Sequence, residues 1–287
     1  MTPELPTQRL VENLAVVGAG TMGCGLAQVA LAAGLDVRLA DERPEQLERA
    51  RERIAARLSR AGVADVPELV TGSVEVACAG ADLIIEAVFE DPDVKTQVLG
   101  AVERLAGDQA VIATNTSGIP VGTLATALND PSRFVGMHFF NPVHRMALCE
   151  IVPSQLTSAT TVATARVVAE RLGKTPIVVA DSPGFVASRL NCMLGNEALV
   201  MLEDGIADAE SIDTAARLGL NHPMGPLELL DLVGLDVRLA ALRTLERAYG
   251  ERFRPTRLHE QLVSDGRLGV KTGSGIYEYE NGRRRSR

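Results

Sequence analysis

The stretch from Leu14 to Asp41 constrains the chain more than any other. A short apolar run, Leu14–Val17, leads into Gly18-Ala19-Gly20-Thr21-Met22-Gly23. Small residues then run to Ala33, Gly34 interrupts, and a second apolar run ends on Asp41. The order is strand, glycine turn, helix, strand, acid, the context in which G-x-G-x-x-G marks a dinucleotide site. Gly18 permits the tight turn, Gly20 lets the backbone approach a pyrophosphate, and Gly23 lets the helix sit close on the strand. The amides that open the helix at Thr21 and Met22 face phosphates with the positive end of the helix dipole. Asp41 accepts bonds from ribose hydroxyls and repels a 2′-phosphate, so NAD is expected rather than NADP. The same turn without the acid and the flanking strands would read as plain α/β core.

Composition narrows the class. The chain has 287 residues, enough for two domains or one large one. No run is long and apolar enough to span a bilayer. Met1–Glu12 carries prolines and charges but no apolar signal core, so a cytoplasmic protein without export is expected. The formal net charge of −8 argues against general nucleic-acid affinity. Cys24, Cys78, Cys149 and Cys192 lack metal-ligand spacing, as do the four histidines. Reduced thiols and no metal site are expected.

Beyond Asp41, strands and helices alternate. Pro44–Arg60 reads as a helix, with its proline in the first turn and arginines toward the far end. Arg49, Arg51, Arg53, Arg57 and Arg60 are expected on an exposed face, paired with Glu48 and Glu52. Val63–Ala79 is short and mixed. The continuous apolar run Ala81–Val88 is a buried parallel strand. Asp91-Pro92 opens a helix to Gly107, and the strand Ala110–Thr114 breaks at Asn115-Thr116-Ser117-Gly118. That break falls at the carboxyl end of a strand, where open α/β sheets hold ligands. A short helix (Pro120–Leu128), strands Phe134–Phe139 and Ala147–Val152, a helix (Thr160–Leu172) and a strand Ile177–Ala180 follow. After Asp181-Ser182-Pro183-Gly184 the chain is helical over 185–204, 208–218, 226–249 with an irregularity at Gly234, and 255–264. The fold expected is α/β: a Rossmann-type doubly wound sheet over residues 1–182, then an all-helical domain over 183–287. The apolar surface of those helices predicts a homodimer. Arg283–Arg285 reads as a solvated end.

Hydride transfer to NAD requires a base for the proton of a substrate hydroxyl. His138, closing Val135-Gly136-Met137-His138, is the best candidate, and Glu150 follows on the next strand. If the strands lie side by side, Glu150 holds one ring nitrogen and steadies the imidazolium formed at the other. A strand-end histidine is also commonly structural, and spacing alone leaves that alternative open.

Several segments occur together: Gly18–Gly23, Asn115-Thr116-Ser117, His138-Phe139-Phe140-Asn141-Pro142, Asp181-Ser182-Pro183-Gly184-Phe185, His222-Pro223-Met224-Gly225-Pro226-Leu227 and Lys271-Thr272-Gly273. With these the chain resembles the L-3-hydroxyacyl-CoA dehydrogenase family, in the short form that includes 3-hydroxybutyryl-CoA dehydrogenases, from about Leu14 to Tyr279. The resemblance implies His138 as general base paired with Glu150, and Ser117 bonded to the substrate oxygen. It implies contacts to NAD from Asp41, Glu90, Lys95, Asn115, Asn141 and Lys271. The reaction implied is reversible oxidation at C3 of a thioester-linked acyl chain, with the helical domain closing over substrate and forming the dimer.

Two departures stand out. The family pattern G-F-V-x-N-R is here Gly184-Phe185-Val186-Ala187-Ser188-Arg189, so Ser188 replaces a substrate-facing amide, with Asn191 one turn on. The family's two-helix hairpin between Asp41 and Asp82, which meets the adenosine end of CoA, is shortened to one helix. That shortening raises an acyl carrier protein as an alternative to CoA. Three rival readings are a free hydroxy-acid dehydrogenase of the gulonate/lambda-crystallin type, a 6-phosphogluconate-like β-hydroxyacid dehydrogenase, and a non-catalytic NAD-binding module. The second relies on a lysine in the helical domain, and Phe185–Asp204 contains none.

Overall fold

The computed structural model describes residues 10–63 and 66–285. Most of Met1–Glu12, where no export signal is expected, and residues 64–65 of the mixed stretch lie outside them. The chain divides into two compact units, Met1–Phe185 and Val186–Arg287.

The first unit runs β1 (Asn13–Val17), α1 (Thr21–Ala32), β2 (Asp36–Ala40), α2 (Pro44–Arg60), β3 (Val70–Gly72), α3 (Val74–Cys78), β4 (Leu83–Glu86), α4 (Pro92–Leu105), β5 (Val111–Thr114) and α5 (Val121–Ala125). It continues with β6 (Phe134–Phe139), β7 (Leu148–Val152), α6 (Ala159–Arg171) and β8 (Thr175–Val178). The sheet order is β3-β2-β1-β4-β5-β6-β7-β8. Pairing is parallel except between β6 and β7, which run antiparallel. The sequence reverses direction between β1 and β4, the switch point where such sheets open a crevice. The apolar runs are continuous because both faces of the sheet are covered. Leu14 and Val16 enter one buried cluster with α1, α2 and α6. Ala15 and Val17 enter another with α4 and α5.

Asp91 caps α4, its carboxylate accepting from the Asp93 and Val94 amides. Val63–Ala79, read as merely mixed, contains β3 and α3. These elements have three and five residues, too short for a periodic signal. The expected pairing of the α2 arginines with Glu48 and Glu52 is not found. Among the described residues none of the five lies within ion-pair distance of a carboxylate, and Arg51 bonds the Thr71 hydroxyl at 2.8 Å instead. On an exposed helix face, solvation competes with such pairs.

The second unit holds α7 (Ala187–Glu203), α8 (Ala209–Gly219), α9 (Pro226–Val233), α10 (Leu235–Tyr249), α11 (Arg257–Ser264) and a hairpin of β9 (Tyr279–Glu280) and β10 (Arg283–Arg284). The helix expected over 226–249 is two helices, because Gly234 takes φ +109°, outside the helical range. The expected solvated tail is corrected at Arg284 alone, since Arg283 and Arg285 are exposed. Arg284 stacks over the Tyr277 ring at 3.7 Å and pairs with Glu210. Among the described residues no helix is long and apolar enough to cross a membrane.

Candidate active site

The carboxyl ends of β1, β4, β5 and β6 lie side by side along one edge of the sheet. At β1, Gly18 has φ +107°, and a Cβ there would meet the Ala87 carbonyl oxygen at 2.6 Å. A Cβ on Gly23 would lie 1.7 Å from the Gly18 carbonyl oxygen, so α1 rests on the turn itself. Gly20 differs: nothing stands within 4 Å of its missing Cβ. Gly20 and Thr21 are exposed and Met22 is half-buried. Among the described residues no side chain caps α1, and its first turn holds no acid. Asp41, just past β2, accepts from the Ala19 amide at 2.9 Å and the Arg43 amide at 3.0 Å, which ties the acid to the turn. An open backbone, an uncapped helix start and a carboxylate beside them fit the diphosphate and ribose of NAD.

The ends of β4 and β5 carry a polar network. Glu86, fully buried, accepts from the Lys95 ammonium at 2.7 Å, the Val88 amide at 2.7 Å and the Thr114 hydroxyl at 2.7 Å. Lys95 is 1% exposed and lies 3.3 Å from Glu90 as well. Glu90 in turn accepts from the Thr116 hydroxyl at 2.6 Å and the Ser117 amide at 2.8 Å. The Ser117 hydroxyl, exposed, stands 3.3 Å from the same carboxylate oxygen. Burial by itself would raise the Glu90 carboxyl; the Lys95 ammonium and the Thr116 and Ser117 donors outweigh it and hold the group below the usual range.

At β6 the antiparallel register sets His138 directly opposite Glu150. The ring Nδ1 stands 2.8 Å from a Glu150 oxygen, His138 is 5% exposed and Glu150 fully buried. Strand alternation puts Glu86, Thr114, His138 and Glu150 on one face of the sheet, since their i−2 or i+2 neighbours Ile84, Ile112 and Val152 share one cluster. Phe140 and Phe185 flank the imidazole, with ring centroids 4.3 and 5.7 Å away. Phe185 holds φ +45°, an unusual backbone for a bulky residue, and is fixed by burial. Upstream of it, Asp181 accepts from the Val121 and Gly122 amides and so caps α5. Asn115 accepts from the Phe139 amide at 2.9 Å, which joins the break after β5 to the end of β6. Asn141 is exposed and precedes a cis peptide to Pro142.

The remaining expected residues lie in the second unit. Ser188 is half-buried in the first turn of α7. Lys271, in a 3₁₀ turn, pairs with both oxygens of Asp236, at 2.5 and 2.6 Å. The glycine of His222–Leu227 has a structural reason: a Cβ on Gly225 would meet the Asp213 carboxyl carbon at 2.1 Å. Asp213 accepts from the Leu227 and Glu228 amides and so caps α9.

The two halves of the chain match two family models. Residues 13–182 match the one described as "3-hydroxyacyl-CoA dehydrogenase, NAD binding domain", and residues 184–279 the one described as "3-hydroxyacyl-CoA dehydrogenase, C-terminal domain". The chain belongs to the 3-hydroxyacyl-CoA dehydrogenase family. This 3-hydroxyacyl-CoA dehydrogenase family member is therefore an NAD-dependent oxidoreductase. A probable 3-hydroxybutyryl-CoA dehydrogenase of Deinococcus radiodurans is 40% identical to it over 274 residues, covering 92% of this chain and 99% of that protein. One from Bacillus subtilis is 38% identical over 281 residues, covering 94% and 98%. The crystal structure of (S)-3-hydroxybutyryl-CoA dehydrogenase from Ralstonia eutropha superposes with a TM-score of 0.90 at 37% identity, covering 95% of this chain and all of that one.

Sequence reasoning passed over Glu86, Thr114, Thr116 and Phe185 as site residues. Glu86 carried a readable signal: it is an acid inside a run of otherwise apolar strand residues, and a buried carboxylate needs partners.

Proposed function

We propose that this dehydrogenase oxidises the 3-hydroxyl of a short 3-hydroxyacyl-CoA thioester to the 3-oxo form, reversibly, with His138 as the base. The observation that carries the reading is the bond between His138 and the buried Glu150 at the sheet edge that also bears the glycine turn. With Nδ1–H donated to Glu150, Nε2 is left as the acceptor that takes the hydroxyl proton. The imidazolium so formed lies against a carboxylate that water does not reach. NAD, when bound, supplies the acceptor for the hydride leaving C3. Phe140 and Phe185 restrict the ring and keep water from it. Ser117, whose hydroxyl is exposed and only loosely bonded to Glu90, holds the substrate oxygen. Asp41, Glu90, Lys95, Asn115, Asn141 and Lys271 serve the cofactor, Lys95 acting through Glu90. Ser188, in the first turn of α7, serves the substrate. The exposed Leu190, Leu232 and Val237 of the helical unit support a homodimer, and four buried free cysteines suit the reducing cytoplasm.

CoA is favoured because relatives named for CoA thioesters align over 98–99% of their own length. One observation favours a carrier-protein thioester instead: Arg49, Arg53, Arg57 and Arg60 form an unpaired cationic stripe along α2, suited to an acidic partner helix. The test is NADH formation from one 3-hydroxyacyl group presented on CoA and on acyl carrier protein, with a His138→Gln control. No turnover on either thioester ends the reading. Equal or better use of CoA ends the carrier alternative. The His138→Gln protein should keep its NAD affinity and lose turnover.

A further inference from the structure

The Glu86–Lys95–Glu90 cluster contains one carboxylate more than its ammonium can neutralise. Lys95 is the only cation within ion-pair distance of either acid among the described residues. Glu86 alone, at 2.7 Å and fully buried, satisfies Lys95. Glu90, whose side chain is 39% exposed, puts a second carboxylate 3.3 Å from the same ammonium, so the cluster carries a net negative charge. Glu150 poses no such problem, because the imidazolium formed at His138 answers it. Among the described residues no second cation lies within ion-pair distance of Glu86 or Glu90.

The location supplies an answer. In the sheet, β4 and β5 stand between β1, which bears the glycine turn, and β6, which bears His138. Ala87, next after Glu86, touches the Gly18 position. The cluster thus lies between the phosphate cradle and the proton acceptor. The nicotinamide ring is cationic when oxidised and neutral when reduced. We infer that Glu86 is a positioning residue: through Lys95 it holds Glu90 in place, and its charge makes the site prefer NAD⁺ over NADH. The inference uses His138 as the marker of the reacting end and so rests on the reading above.

A unit charge acting over about 10 Å at an effective dielectric near 20 is worth roughly a factor of ten in affinity. Dissociation constants for NADH by fluorescence titration, and for NAD⁺ by its displacement, supply the test without any acyl substrate. They therefore stand whether or not the thioester reading does. Glu86→Gln should lower the NAD⁺:NADH affinity ratio about tenfold, and Glu86→Asp, which keeps the charge, should leave it within about twofold. A Glu86→Gln protein that binds both forms equally more weakly, with the ratio unchanged, would make the cluster a structural ion pair and overturn the inference. Should that variant fail to fold, the double variant Glu86→Gln/Lys95→Met keeps Glu90 as the single charge. It should hold the ratio near the starting value, and a tenfold fall would overturn the charge account.

Discussion

Replacing Glu150 with glutamine isolates the charge of the His138 partner from its shape. The amide can still accept from Nδ1–H in the pocket where the acid now sits at 2.8 Å, fully buried. Ground-state geometry should therefore survive, and what is lost is the attraction to the imidazolium that the proposed mechanism forms during oxidation. A hydrogen bond to a charged group exceeds a neutral one by roughly 1–2 kcal/mol. A full imidazolium–carboxylate pair about 4 Å apart, at an effective dielectric near 20, is worth about 4 kcal/mol, an upper bound because glutamine avoids the carboxylate's desolvation. The expected rise in barrier is about 2–4 kcal/mol, roughly 30- to 1,000-fold in kcat. Initial rates of NADH formation at saturating NAD and 3-hydroxybutyryl-CoA measure it, alongside NAD titration and thermal melting to show that binding and folding persist. A kcat within about threefold of the parent, with cofactor affinity intact, would refute the role given to this pair.

Three other outcomes follow from the geometry. Gly20→Ala meets open space and should melt like the parent yet bind NAD more weakly, whereas Gly23→Ala strikes the Gly18 carbonyl oxygen and should lose stability, by about 1–3 kcal/mol in urea titration. Asp41→Ala removes the carboxylate proposed to read the ribose and leaves Arg43 without its ion pair, so selectivity for NAD over NADP, read as kcat/KM, should fall at least about tenfold. His259 is fully buried and its Nε2 lies 2.9 Å from the Leu235 carbonyl oxygen, while Nδ1 has no hydrogen-bond partner among the described residues. Burial, against a smaller opposing effect of that bond, lowers its pKa, so the folded state binds fewer protons than the unfolded chain. Its contribution is thus fully present above pH ~6.5 and declines as pH falls through that value toward the folded pKa. Urea unfolding between pH 7.5 and 5.5 should show the loss, and His259→Gln should flatten it.

Much of the first unit was readable because each element carries its own punctuation. Pro44 and the arginine-rich end bound α2 at Pro44–Arg60, as expected, and Phe134–Phe139 is the strand its apolar run predicts. What escaped had no local signature. β3 and α3 are too short for periodicity, the terminal hairpin depends on Arg284 finding Tyr277 and Glu210, and among the described residues the α2 arginines pair with no carboxylate although several neighbour them in sequence. At the site, the glycine turn and Asp41 were legible, while the network around Glu86 was not. Its partners Lys95 and Thr114 come from a different helix and a different strand.

Residue order alone determined the dinucleotide turn, the acid beside it and the change to helices near Asp181, because each is written within one or two adjacent elements whose backbone needs are local. Whether His138 and Glu150 would meet was open until β6 and β7 paired antiparallel in the register that sets them opposite each other. A shift of one residue would have turned one side chain to the other face of the sheet. Register is a property of two strands and the loop between them, settled by the packing of both faces at once, and no single stretch of the chain encodes it.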